Sequence, residues 1–255
     1  MANIYVPKSW SEITLEKYQE LIGLDTTEYN SPFSYKLEIL AILNETSVDD
    51  EMFEDLDINE LTTILDDIKW LMGAPNGLKN EVKNFKLKPI SKITLGEFID
   101  LVKLFENVNS NLDVICSILF KKYKVDEWDN EIEEPYIYDL EKRRLLFSDV
   151  IVTDIIGIIR YFLDFKDNIF NIYSIIFTNP DDLEEPEDVE NLTEEEIEEI
   201  KKEIEIEKGK AKWAWMSLVY DLCNGDLTKT DDITNLSLVY VLNTLMMVKQ
   251  LDIKK

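Results

Sequence analysis

Histidine is absent from all 255 residues. With it go the usual general base near neutral pH, the usual partner of a nucleophilic serine or cysteine, and the commonest zinc ligand. Any catalysis would rest on carboxylates, lysine or tyrosine. Cysteine is nearly absent too: Cys116 and Cys223 lie far apart, each in an apolar run, and read as buried free thiols of a reducing compartment. Seven glycines and seven prolines leave few tight turns, which argues against a sandwich or barrel of many short strands. Basic residues are scarce, 27 against 53 acids, so the formal net charge is −26. No phosphate-binding G-x-x-x-x-G-K-[ST] loop, no G-x-G-x-x-G and no calcium-loop pattern occurs. The N-terminal residues lack a basic segment followed by an apolar one, so no secretory signal is expected and the cytoplasm where the chain is made is the expected location. The most apolar stretch, 150–177, is interrupted by Asp154, Arg160, Asp164, Lys166 and Asp167, which marks a core helix and not a membrane span.

What is present favours helices. A hydrophobic fraction of 45% with 11% aromatics is enough to bury a sizeable core. From Glu45 to Asp67 there are ten acids and no base, yet Leu61, Ile64, Leu65, Ile68 and Leu71 keep the spacing of one helix face. Asp57 with Glu60 predicts a capping box at its start, and Gly73 with Pro75 a stop. The charge then reverses: Lys79, Lys83, Lys86, Lys88 and Lys92 stand against Glu81. Residues 79–92 read as a basic linker whose 82–88 stretch, with its alternating pattern, forms a short strand or extended arm. Aromatic interleaving is limited to Phe85, too little for a nucleic-acid surface.

The flanks of that linker echo one another. Ile13-Thr-Leu-Glu-Lys-Tyr-Gln-Glu-Leu-Ile22 matches Ile93-Thr-Leu-Gly-Glu-Phe-Ile-Asp-Leu-Val102, and Ile39-Leu-Ala-Ile-Leu43 matches Ile115-Cys-Ser-Ile-Leu119. Each copy predicts a capped helix, a loop and a second apolar helix. Thr94 with Glu97 completes a capping box, whereas Lys17 holds the corresponding place after Thr14. Further on, 126–135 is a charged loop, and Ser148 or Thr153 starts a long buried helix carrying Ile155, Ile159 and Phe162. A second linker spans 179–192, within a segment 181–210 of fifteen acids and four bases. Thr193 and Glu196 restart a helix that runs through Trp213 and Trp215 to Gly225, and Leu236 to Leu251 is the last helix, paired with it as an antiparallel hairpin.

The expected architecture is therefore all-α, a helical bundle built from helical hairpins. Its segments are 1–78, a basic linker 79–92, 93–178, an acidic linker 179–192 and a C-terminal hairpin 193–255. The acidic clusters, as at Asp49-Asp50-Glu51 and Glu194–Glu199, have no metal-loop spacing and read as solvated faces, so no metal and no cofactor is expected. Trp213 and Trp215, two apart on one helix, point to different sides: one belongs to the core and the other is a candidate anchor for a partner. Leu238, Leu242 and Leu245 complete the candidate partner-binding set.

The stretch Ile39-Leu-Ala-Ile-Leu-Asn-Glu-Thr-Ser-Val-Asp-Asp-Glu-Met-Phe-Glu-Asp-Leu-Asp-Ile-Asn-Glu-Leu61, followed by a helix to Leu71, resembles the bacteriophage tail-assembly chaperones. The opening Ser9-Trp-Ser-Glu-Ile-Thr-Leu-Glu-Lys-Tyr-Gln-Glu-Leu21 is similar to the start of small helical proteins of phage structural gene clusters. The likeness covers about the first seventy residues, with an echo near Ile93. Two departures stand out: the family usually has glycine after the second helix, where this chain has Glu45, and many members are shorter. The resemblance implies a non-enzymatic role in virion assembly, as a chaperone or as a component of the tail or neck, in the host cytoplasm or the virion. Its partners would be tail, neck or portal proteins or a second copy, with no membrane and no nucleic acid bound directly. The competing reading is an acidic DNA mimic that occupies a DNA-binding protein. Its total charge fits, but the acids gather in loops and helix starts instead of a regular array.

Overall fold

The computed structural model describes residues 4–54, 58–128, 131–133, 140–177 and 214–252. The fold is mainly α. In chain order the helices are α1 (Leu15–Gly23), α2 (Pro32–Leu43), α3 (Glu51–Glu54), α4 (Ile58–Asp67), α5 (Leu95–Leu104), α6 (Val108–Leu119), α7 (Leu140–Phe147), α8 (Val152–Ile155) and α9 (Ile158–Ile172). A helix over 214–222, here α10, is followed by α11 (Thr230–Thr234) and α12 (Leu238–Asp252). Short strands β1 (Glu81–Val82), β2 (Phe85–Leu87) and β3 (Phe120–Lys121) form one antiparallel sheet in that order, and β4 (Tyr123–Val125) pairs with β5 (Glu131–Glu133) in another. No helix among the described residues is long and apolar enough to cross a membrane.

The chain divides into two compact units, residues 1–88 with 103–162, and residues 89–102 with 163–255. The boundaries expected at 78, 92, 178 and 192 are therefore not those of the compact units. The reason lies in how each copy of the Ile-Thr-Leu motif is closed. In the first unit Thr14 forms an antiparallel bridge with Ile151: Leu15 N–H donates to Val150 O (2.8 Å) and Val152 N–H to Ile13 O (2.9 Å). In the second, Thr94 bridges Ser237 in the same way: Leu95 N–H donates to Leu236 O (2.9 Å) and Leu238 N–H to Ile93 O (3.0 Å). Each capped helix is thus sealed by a segment far along the chain. The free backbone groups before a helix find partners there that local sequence cannot supply.

The echo itself is clear in the structure. α2 and α6 each run twelve residues and end on Leu43 and Leu119, the matched positions. Thr94 and Glu97 make the reciprocal capping box, at 3.0 and 3.2 Å, while Thr14 accepts only from Lys17 N–H. Within the first unit α1 packs on both α2 and α6, and α6 is buried from Leu112 to Leu119. The helical hairpin is therefore a repeat of sequence and local structure, not the unit that folds around one core.

The stretch expected to be a solvated basic linker is ordered. Val82 and Phe85 pair across a two-residue turn in which Lys83 and Asn84 both have positive φ, 50° and 66°, the handedness that hairpin twist favours. Lys88 N–H donates to Leu119 O (2.7 Å), continuing the ladder into the end of α6. Lys88 and Lys121 are buried, and both ammonium groups reach Glu133 Oε1, at 3.0 and 3.7 Å. Part of the expected charged loop 126–135 is thus β5, which delivers a carboxylate to the buried lysines.

The long helix expected from Ser148 or Thr153 starts at Val152 and is broken at Ile156–Gly157, between α8 and α9. The break has a cause. Gly157 N–H donates to Gly77 O (2.7 Å), and Lys79 N–H takes Asp154 O (2.8 Å), so the segment before β1 replaces rungs of the helical ladder. The Lys79 ammonium adds an ion pair to Asp154 Oδ2 at 2.7 Å.

At the end of α2, Thr46 N–H donates to Ala41 O and Glu45 N–H to Ile42 O, both 3.1 Å, with Glu45 at φ 57°. This is the six-to-one and five-to-two closure whose left-handed position favours glycine. Glu45, the departure from the resembled family, occupies that place, with Lys17 paired to its carboxylate at 2.8 Å. Glu45→Gly is expected to raise the urea midpoint of unfolding, because relief of the left-handed backbone outweighs one ion pair whose carboxylate is exposed. A lowered midpoint would contradict this account.

Candidate functional site

The core of the second unit explains where the expected partner-binding side chains go. Phe98 on α5 is fully buried, and its ring meets Phe165 and Trp215 edge-on, with centroids 5.9 and 5.3 Å apart. Trp215 also lies against Phe177 at 5.3 Å. Trp215 is therefore the inward ring, half-buried among aromatics, and is not the open anchor. Leu238 and Leu242 are fully buried as well, because Leu238 begins α12 at the bridge to Ile93 and Leu242 falls one turn later. These two are core, and Leu245 is half-buried. Trp213 lies outside the described residues, as do Asp57, the linker 179–192 and the Thr193–Glu196 capping box. α12 also meets the turn Ile90–Lys92, and Tyr173 Oη donates to Asn243 Oδ1 at 2.9 Å.

The side chains that remain open are others. Met216 and Tyr220 on α10, four residues apart, and Leu227 beyond it are all more than half exposed. With Ser217, Val219 and Thr230 they line an open, largely apolar groove of about 380 Å³. α12 carries a second open stripe, Tyr240, Met247, Val248 and Leu251, at the i, i+7, i+8 and i+11 spacing of one helix face. Sequence reasoning missed Met216, Tyr220 and Leu227 because α10 is apolar on both sides, so periodicity does not mark which side is covered. The one available signal was Leu227, a lone leucine in a turn of polar residues.

The groove has a rigid lip. α10 ends with Gly225 N–H donating to Tyr220 O (3.1 Å) and Asn224 N–H to Asp221 O (3.0 Å), with Asn224 at φ 51° and Gly225 at φ 76°. A Cβ at Gly225 would sit 3.1 Å from Tyr220 Oη, so glycine lets the tyrosine ring lie against the turn. Asp226 then holds Leu227 in place: its Oδ1 accepts from Thr228 N–H (3.1 Å) and Thr228 Oγ1 (2.6 Å). These bonds from Thr228, side chain first, hold the Asp226 carboxyl below the usual aspartate range. What they contribute to the lip is present above the ordinary unfolded aspartate value of about 3.9 and lost as the pH falls through the lower folded value.

A second concavity, in the first unit, has a volume of about 520 Å³ and a polar lining that includes Lys17, Glu20, Glu45 and Asp149. Lys17 there bonds Glu45 and Leu43 O (3.2 Å), so its charge is used to close α2. Burial, then Glu16, pushes the Glu20 carboxyl up, and burial pushes the Cys116 thiol up. Both cysteines are free and buried, as expected.

No known protein family, curated protein or solved structure matches the chain.

Proposed function

We propose that this chain is a non-enzymatic bacteriophage morphogenesis protein that binds other virion proteins of the tail, neck or portal, as an assembly chaperone or as a tail or neck component. The observation that carries the reading is the open apolar surface of the second unit, the groove of Met216, Tyr220 and Leu227, in a chain of net charge −26. Exposed aromatic and methionine side chains with polar surroundings are the usual make-up of interface anchors, and strong like charge keeps such a chain soluble while steering association. The phage setting rests on the resemblance of 39–61. The folded form of that stretch, α2, a turn at Ser47–Asp50, and α3, is compatible with it.

Affinity capture from a phage-infected lysate with the full chain is expected to recover a tail, neck or portal protein. Met216→Asp is expected to reduce that recovery at least roughly fivefold, a change of about 1 kcal/mol in binding. Recovery of a host DNA-binding protein instead, released by duplex DNA and by salt, would replace this function with DNA mimicry.

A further inference from the structure

We propose that the α10 groove takes an apolar, lysine- or arginine-bearing segment of its partner, a basic amphipathic helix or turn. This rests on the protein-binding reading above and names the chemistry of the occupant. The groove's floor and walls are apolar, from Met216, Val219, Tyr220 and Leu227, and have room for more than one large side chain. The lining residues are flanked along the chain by acids: Asp221 follows Tyr220 directly, Asp226 precedes Leu227, and Asp231 and Asp232 follow Thr230.

Between residues 214 and 235 the single base is Lys229, and its ammonium lies 3.4 Å from Asp226 Oδ2. The carboxylates of Asp221, Asp231 and Asp232 are exposed. An acidic occupant would gain the apolar contact but meet a local excess of negative charge, and a neutral one would leave that charge unused. A second copy of this chain would bring another −26 to the same place. Cationic side chains flanking an apolar anchor satisfy both features of the site, with the charges setting the rate and choice of partner and the apolar contact holding it.

The test uses the full chain and three labelled synthetic peptides of about sixteen residues, long enough for roughly four helical turns. One has leucine and lysine at amphipathic spacing, one has glutamate in place of lysine, and one is oligolysine. Fluorescence anisotropy is expected to show binding of the leucine–lysine peptide that exceeds both others at least tenfold. Leu227→Asp is the deciding variant. It adds negative charge, so adventitious attraction of a cation would strengthen, whereas seating in the groove is expected to weaken about tenfold. Met216→Glu should act in the same direction. Asp221→Asn combined with Asp231→Asn and Asp232→Asn is expected to flatten the salt dependence while leaving a residual affinity at about 0.5 M salt, where surface charges are screened.

Equal binding of the glutamate peptide, no binding of the leucine–lysine peptide, or unchanged affinity in Leu227→Asp would overturn the proposal. So would a dimer in sedimentation that Leu227→Asp dissociates. If the peptides fail while lysate capture still recovers a virion protein in a Met216-dependent way, the occupant is misassigned and the assembly function stands. If capture also yields no virion protein, that function falls with it.

Discussion

Gly77→Ala is expected to lower the free energy of unfolding by about 3 kcal/mol or more, the combined scale of a strained backbone and an overpacked contact. Gly77 has φ 129°, a region closed to side-chain-bearing residues, and an added Cβ would stand 2.0 Å from Thr153 O. Neither obstacle can yield cheaply. Thr153 is in α8, whose start is held by the bridge at Ile151, and Gly77 O receives Gly157 N–H. Gly157→Ala would place its own Cβ 2.9 Å from Gly77 O and from Leu78 Cβ, so both substitutions crowd the same pair of segments and their effects should not add. Gly23→Ala, with nothing within 4 Å of its added carbon, is the control and should leave stability the same or slightly higher. Urea unfolding of the three variants checks this. A Gly77→Ala midpoint equal to that of the parent would refute the close approach.

Phe98→Ala is expected to cost about 3–5 kcal/mol, the range for emptying a buried phenylalanine site. Its ring is completely enclosed and touches Phe165 and Trp215, and it stands one helical turn beyond Leu95, whose N–H is fixed to Leu236 O. Closing the cavity would need α5 to move against that bridge, so little relaxation is available. Phe98→Leu should recover more than half of the loss. A loss below about 1 kcal/mol, in the range of surface changes, would show that Phe98 is not the centre of this core.

Much of the local structure was legible in the sequence. The Ile-Thr-Leu echo, the complete capping box at Thr94 and the partial one at Thr14 are written in side chains within four residues of each other. Buried cysteines and the strand pattern near Val82 were legible for the same reason. The sealing segments Val150–Val152 and Leu236–Leu238 were not, because main-chain N–H and C=O groups make the bridges and leave no mark on residue choice. Without them the compact units could not be drawn. The break at Gly157 was hidden likewise, since its cause is a carbonyl supplied by residue 77.

For the candidate site, composition pointed to side chains that the structure places in or beside the core of the second unit. Tryptophan at 215 and leucine at 238 and 242 read as anchors, yet a helix apolar on several sides gives no sign of which side is covered. Phe98 and Phe177 decide it for Trp215. The basic stretch misled in another way: lysine usually means solvent, but Lys88 and Lys121 share Glu133, a partner that lies beyond the pattern of either strand.

The bridges also order events during synthesis. Thr14 emerges first, then Thr94, then Ile151 and finally Ser237, so the two closures interleave along the nascent chain. Each capped helix waits for about 140 residues to follow it, roughly 7–30 s at ordinary elongation rates. During that interval the backbone at Ile13 and Leu15, and later at Ile93 and Leu95, is an open edge beside apolar side chains. Ribosome pausing before residue 237 would prolong the exposure of the second edge.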